Sequence, residues 1–353
     1  MKRVSLVLVA HRSSSVIAAA VESFRSAAAY AAVIGEVVIV DHSEEESELE
    51  AARASGADRI VAKRNRGYAA GVNAGISEAT GDILFVGNAD IRFERPALAP
   101  LLNALDDGYH LVGPLFTLNG FFLPPADVQR PGAERRRMRA LRNSSARRRH
   151  LQREIRYWRS VWDAEEPVAV RSLSGALIGF PRKVAYRLGP WDEEYFLYFE
   201  ESDWCLRAER EGLRMGQVPA SRVEHRWGHS ADPVAMAEVF TRARKRFYDK
   251  NFKLSSLVGE REDEEEGGEG SLPEWSGAGI GEERRLWLAS PHPCGFPAAG
   301  AYFEGDPARA FQGLADAAAL PQLTVSCLDP QGDRLLGSWS FARDGKREAR
   351  RAR

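Results

Sequence analysis

The feature that most constrains the fold is the alternation of short apolar runs and helix-patterned segments over the first hundred residues. Residues 4–10 are a continuous Val- and Leu-rich run, the pattern of a strand buried on both faces. Residues 13–32 follow with helical spacing and many alanines. Residues 36–40 read as a second strand ending on Asp41, and residues 44–54 as a polar helix with Ser43 as its N-cap. Residues 59–62 read as a third, short strand and residues 68–80 as a helix after a glycine-containing turn. Residues 83–86 are a fourth strand running into Gly87-Asn88-Ala89-Asp90. This order predicts an α/β fold, a mainly parallel sheet with helices on both faces. Such sheets bind ligands at the carboxyl ends of their strands, where Asp41 and Asp90 stand.

Beyond residue 100 the charges fall into blocks. The chain of 353 residues has 49 Lys+Arg against 50 Asp+Glu, a net charge of -1. That balance excludes a globally basic nucleic-acid binder and an acidic solvating chain. Between 130 and 159, however, stand twelve arginines against only Glu134 and Glu154. Interspersed Met138, Leu141, Leu151, Ile155, Tyr157 and Trp158 predict helical pieces with one apolar side. Residues 184–188, 203–212 and 234–252 read as further helices. The run 260–269 is a linker by its glutamates and glycines. After it, residues 285–290, 323–328 and 335–341 read as strands and 307–319 as a helix, with a turn at Asp329-Pro330-Gln331-Gly332. The expected organisation is therefore a domain over 1–254 with an arginine-rich insertion at 130–160. An acidic linker (255–271), a small β-rich unit (272–343) and a basic tail (344–353) follow. Cys205, Cys294 and Cys327 are too few and scattered for a disulfide framework, which favours a reducing compartment. The apolar start is broken at His11-Arg12-Ser13, unlike a signal peptide, and no stretch approaches the ~18 apolar residues of a membrane span.

Oxygen-bearing side chains gather at the predicted strand ends. Asp41 can accept a hydrogen bond from a base or ribose, or act as a turn residue. In Asn65-Arg66-Gly67-Tyr68-Ala69-Ala70-Gly71-Val72-Asn73-Ala74-Gly75, Gly67 permits a tight turn, and Gly71 allows close approach to a ligand or to a strand. Lys63, Arg64 and Arg66 place positive charge where a helix starts, which favours phosphate. Asn88 and Asp90, one residue apart, can face one divalent ion. Glu200, Glu201 and Asp203 put three carboxylates in four positions, and their repulsion raises at least one pKa, as a general base needs. The same cluster suits an exposed, acidic helix start. His225 can complete a metal site. Gly277-Ala278-Gly279-Ile280-Gly281 is glycine-rich but follows no predicted strand, so it is not read as a nucleotide loop.

Taken in order, these stretches resemble the family 2 glycosyltransferases, in particular bacterial rhamnosyltransferase-like members. The matching segments also include Leu173-Ser174-Gly175-Ala176, Gly189-Pro190-Trp191-Asp192-Glu193-Glu194-Tyr195-Phe196 and, after His225, Gly228-His229-Ser230. The resemblance covers roughly residues 4–252. It implies the GT-A fold, a nucleotide-sugar donor and a divalent metal, Mg2+ or Mn2+. By resemblance, Asp41 contacts the base or ribose, and Asn65, Gly67, Tyr68, Gly71, Asn73, Asn88 and Asp90 line the donor site. Asp90 and His225 hold the metal. Gly175, Ala176, Trp191 and Asp203 lie on the acceptor side, Glu201 is the base and Glu200 the second choice. Two positions depart from the family pattern: Asn88 replaces the first Asp of an Asp-x-Asp motif, and Glu201 replaces the base Asp of a Glu-Asp pair.

The implied reaction is inverting, metal-assisted transfer to a hydroxyl of a glycan or polyprenyl-linked acceptor, as in polysaccharide biosynthesis for the cell envelope. The alternative is a non-catalytic nucleotide-sugar or glycan binder on the same fold. A nucleic-acid partner is not expected, because no reading motif accompanies the arginines. An oligomer is compatible with the sequence. The expected location is cytoplasmic and peripheral at the inner face of the plasma membrane, with the arginine segment meeting anionic lipid.

Overall fold

A computed structural model describes residues 1–226, 233–254, 274, 283–291, 297–329 and 334–343. The acidic segment 255–271, the tail 344–353, the 277–281 glycines, Cys294 and the Gly228-His229-Ser230 motif lie outside the described residues, as does most of the 329–332 turn.

The N-terminal alternation folds as its pattern requires. Strands β1 (Arg3–Ala10), β2 (Ile34–Asp41), β3 (Arg59–Ala62) and β4 (Ile83–Asn88) form a parallel block in the order β4-β1-β2-β3. They alternate with helices α1 (Ile17–Tyr30), α2 (Glu46–Ala54) and α3 (Tyr68–Glu78). Strand β1 is buried on both faces: Val4, Leu6 and Leu8 pack with Phe24 of α1, while Val7 packs with Val72 of α3. Ser43 does not cap α2, which starts at Glu46 behind Glu45. The Ser43 hydroxyl instead donates to Asp41 (2.7 Å) and accepts from the Arg12 N–H (2.7 Å).

Past β4 the sheet becomes mixed. Strands β5 (Ile91–Phe93), β6 (Leu111–Leu118), β7 (Phe121–Phe122), β8 (Val168–Val170), β9 (Leu177–Pro181) and β10 (Met215–His225) add mostly antiparallel pairings. Helix α4 (Leu98–Asp106) covers the same face as α1. The arginine segment forms α5 (Pro131–Arg142) and α6 (Ser144–Trp162), joined at Asn143, whose side chain caps α6 through the Ala146 N–H. Helices α7 (Arg182–Leu188), α8 (Glu200–Arg210) and α9 (Pro233–Phe252) follow.

The C-terminal strands β11 (Arg285–Ser290), β12 (Ala299–Phe303), β13 (Gln322–Leu328) and β14 (Leu335–Ala342) continue the same sheet, with β12 pairing to β7 at Gly300 and Phe122. Helix α10 (Ala308–Ala317) packs Phe311 against Phe121 and Trp287. On the other side of these strands, Ile155, Trp158 and Trp162 of α6 meet Leu115, Leu286, Leu288 and Leu328. Trp162 donates its ring N–H to the Leu123 carbonyl (3.0 Å) and lies over Gly300, where a Cβ would stand 2.4 Å from the ring. Among the described residues no helix is long and apolar enough to cross a membrane.

Trp162→Ala should destabilise the protein by about 3–5 kcal/mol, since it empties this contact and orphans the Leu123 carbonyl. Urea unfolding followed by circular dichroism checks this. A loss below about 1 kcal/mol would show that α6 contributes little to holding the C-terminal strands.

Candidate active site

Four chain segments meet beside the carboxyl ends of β1, β2 and β4. Asp41 ends β2, buried, its Oδ1 accepting from the Ser43 N–H (3.2 Å) and hydroxyl. Asn65 turns its Oδ1 back onto the Gly67 N–H (3.0 Å). Gly67 has φ +98°, and a Cβ there would lie 2.3 Å from the Phe196 carbonyl oxygen. That position admits no other residue without displacing backbone. The close approach lets Tyr68 N–H donate to the Phe196 carbonyl (2.8 Å). The Tyr68 hydroxyl then donates to the Gly175 carbonyl (2.8 Å). Burial, with the carboxylates of Glu200, Glu201 and Asp90 nearby, pushes the Tyr68 hydroxyl well above its usual range, so it stays a donor.

Gly71 faces β1 and His42: a Cβ would stand 2.6 Å from Val9 Cγ1. Its missing side chain lets α3 lie on the strand. Asn73 clamps the 191–193 loop, donating to the Trp191 carbonyl (2.9 Å) and Glu193 (3.0 Å) and accepting from the Trp191 N–H (2.9 Å). Trp191 is buried and stacks on Trp204.

The acidic cluster opens α8. Tyr198 (φ 72°) and Phe199 (φ 69°) both adopt left-handed backbone immediately before it, a costly conformation for two aromatic residues that packing must hold. Phe199 packs on Phe247, and both aromatics meet Phe240 of α9. Glu200 is buried, and its Oε2 has no hydrogen-bond partner among the described residues. Burial and then the adjacent Glu201 push the Glu200 carboxyl well above the usual range. Burial also raises Glu201, partly offset by hydrogen bonds such as the one from the Ser202 hydroxyl (3.0 Å). Gly175 makes room for this side chain, since a Cβ there would stand 3.2 Å from Glu201 Cβ. Ala176 accepts the Asn88 N–H (3.1 Å) and borders Gly87.

Asp203 lies apart from its neighbours. It is fully buried and meets Arg207 (3.2 Å), Lys250 (2.8 Å) and Asn251 (3.0 Å). It anchors α8 to α9. Asp192 does the same for the preceding loop, pairing with Arg246 (3.1 Å) and Lys250 (2.8 Å). Burial alone would raise the Asp192 carboxyl, but hydrogen bonds from Lys250, the Glu194 N–H and Arg246 hold it at about 2. Sequence reasoning missed Arg246, Lys250 and Asn251, which stand 47 to 58 residues from their partners and carry no local signal.

Asp90 Oδ1 stands 3.3 Å from His225 Nε2, and the Asn88 amide 3.2 Å from the same nitrogen. The pairing of β10 with β5 delivers His225 opposite Ile91. A carboxylate oxygen and an imidazole nitrogen, both partly open to solvent, can occupy adjacent positions around a divalent ion. Among the described residues no group of three or more His, Cys, Asp or Glu is placed to hold a metal.

The family model described as Glycosyl transferase family 2 matches residues 5–153. That stretch runs from β1 into α6 and includes Asp41, the 65–75 segment and Asp90, whereas Glu200, Glu201 and His225 lie beyond it. No curated protein matches the chain. Among solved structures, the mannosyltransferase PcManGT from Pyrobaculum calidifontis, in complex with GDP-Man and Mn2+, is 17% identical, with 73% of this chain and 68% of that chain covered and a TM-score of 0.49. S. aureus TarS 1-349 is 14% identical, with 70% and 66% covered and a TM-score of 0.43. The mixed α/β sheet with its C-terminal strands agrees with the GT-A fold that the sequence resemblance implies.

Gly67→Ala should cost about 2 kcal/mol or more in thermal or urea unfolding, from the left-handed backbone and the blocked Phe196 carbonyl. A neutral effect would mean the turn moves freely. The raised carboxyls set a second expectation. Folded Glu200 keeps a proton that the unfolded chain releases, so its contribution to stability is present at low pH and lost as pH rises through the folded pKa. The gain in melting temperature from Glu200→Gln should therefore be larger at alkaline than at acidic pH, and a pH-independent difference would contradict the raised carboxyl.

Proposed function

We propose that the protein is an inverting glycosyltransferase that moves a sugar from a nucleotide-diphosphate donor to a hydroxyl of a glycan or lipid-linked acceptor. The observation that carries this reading is the meeting of Glu200 and Glu201, raised by burial, with Tyr68 and Asp90 at the strand ends. The family match over residues 5–153 supports the donor half. Glu201 accepts the proton of the acceptor hydroxyl, and burial raises its carboxyl in the direction that strengthens it as a base. The acceptor oxygen bonds to the anomeric carbon as the bond from that carbon to the diphosphate breaks, leaving the nucleoside diphosphate. Glu200, buried beside it, holds its own proton and keeps the pair from carrying two charges. Tyr68 fixes the Gly175 carbonyl, and Gly175 gives Glu201 its space.

Asp90 and His225 are the residues that would hold a divalent metal, with Asn88 beside them, and the imidazole favours Mn2+ over Mg2+. Such an ion supplies charge neutralisation for the departing diphosphate. Asp41 is proposed to meet the base or ribose, and Asn65 and Gly67 to shape the donor loop. Asn73, Trp191 and Asp203 act as positioning residues through the contacts above. A rhamnosyl donor is the finer reading, from the resemblance of the motifs.

Glu201→Gln should lower transfer by roughly 10²–10⁴-fold while leaving donor binding intact. Turnover near that of the parent would reject Glu201 as base. Asp90→Ala should abolish the added thermal stability that Mn2+ gives in the presence of a nucleoside diphosphate. A screen of dTDP-, UDP- and GDP-sugars by thermal shift and product release names the donor. Donor binding without any release would favour the non-catalytic binder.

A further inference from the structure

The arginine helices α5 and α6 are not needed for the chemistry above, yet they carry a dense group of exposed arginines. Arg135, Arg136 and Arg139 on α5 and Arg148, Arg149, Arg153 and Arg156 on α6 are all exposed. Arg136 and Arg153 both bear on His150 and Glu154, so the two helices share one field rather than two separate ones. The two acids of the segment do little to offset it. Glu134 is buried and bound by Arg244 of α9. Burial and then Asp127 raise Glu154 to about 7, which leaves it partly uncharged at neutral pH.

The segment contains twelve arginines and no lysine. The guanidinium fork matches phosphate oxygens in pairs, where an ammonium offers a point charge. An amphipathic, arginine-rich helix would ordinarily insert its apolar face among lipid chains. Here that face is taken: Ile155, Trp158 and Trp162 are buried on β11, β12 and β6. Tyr157 packs toward the same core, so no fully exposed ring among the arginines offers a platform for stacking bases. The remaining contact is broad, phosphate-directed and electrostatic.

We propose that the exposed faces of α5 and α6 dock the protein on an anionic phospholipid surface by adsorption, without insertion. The pair is tied to the candidate site: Arg130 pairs with Glu209 of α8, and Glu134 with Arg244 of α9. Docking there would bring to the membrane the domain that carries the candidate site, with Glu209 lying at the far end of α8 from Glu200. The contact itself does not depend on the transferase reading.

The test is co-sedimentation of the full chain with phosphatidylcholine vesicles, with vesicles holding roughly a third phosphatidylglycerol, and with duplex DNA of matched charge. Expected is binding to the anionic vesicles alone among the lipids, lost when salt rises from about 0.1 to 0.5 M. Arg148→Gln/Arg149→Gln/Arg153→Gln should weaken it about a hundredfold with circular dichroism unchanged. Arg135→Gln/Arg136→Gln/Arg139→Gln serves as the second variant should the first misfold. Equal binding to both vesicles, no binding to either, a folded variant that binds like the parent, or tighter binding to DNA than to anionic vesicles would each overturn the proposal.

Discussion

The close backbone approach of Gly67 to Phe196 is the constraint on which the candidate site depends. It lets the N-terminus of α3 touch the loop that leads into α8, with no side chain between them. From that contact Tyr68 reaches Gly175, and Asn73 reaches Trp191 and Glu193. The 67–73 segment is thereby held in one geometry with Gly175 and with the 191–196 loop, each more than a hundred residues along the chain. Glycine at 67 is a loss of chain entropy that the other contacts must offset. Most of these end on a backbone carbonyl or amide, and the Glu193 contact ends on a carboxylate.

The opening of α8 needs a second restraint, since left-handed Tyr198 and Phe199 would relax if unsupported. Helix α9 supplies it in two ways. Phe240 and Phe247 cover the aromatics, and Arg246 and Lys250 hold Asp192 and Asp203. Buried ion pairs add little net stability compared with apolar packing, but losing one partner is expensive. These pairs tie α9 to α8 and to the loop before it, beside the helix start that carries Glu200 and Glu201.

The sequence pattern was readable where structure is local. The four parallel strands and their helices follow from runs and periods within a dozen residues, and the strand-end positions of Asp41 and Asp90 follow with them. Strands β5, β7, β8 and β12 are two to five residues long and exist through partners far along the chain, so no local pattern marks them. The same distinction divides the acidic cluster. Glu200, Glu201 and Asp203 look equivalent as a string of carboxylates. Two are raised by burial, while the third is bound by Arg207 on its own helix and by Lys250 and Asn251 about fifty positions away. Ser43 shows the reverse error, a good cap by type whose hydroxyl is already engaged by Asp41 and Arg12.

Charge has to be read in the same spatial way. A net charge of -1 says nothing of a surface where eight arginines stand exposed on two adjoining helices. Nor does the apolar stripe of α6 reveal by itself whether it faces protein or lipid. The C-terminal strands decide this, because Leu286, Leu288 and Leu328 occupy the face that Trp158 and Trp162 would otherwise expose. Extending the sheet past β7 therefore has a consequence beyond added core. It converts α6 from a helix able to bury itself in a bilayer into the rigid support of a charged surface. The last strands of the chain thus determine what kind of contact a helix in its middle can make.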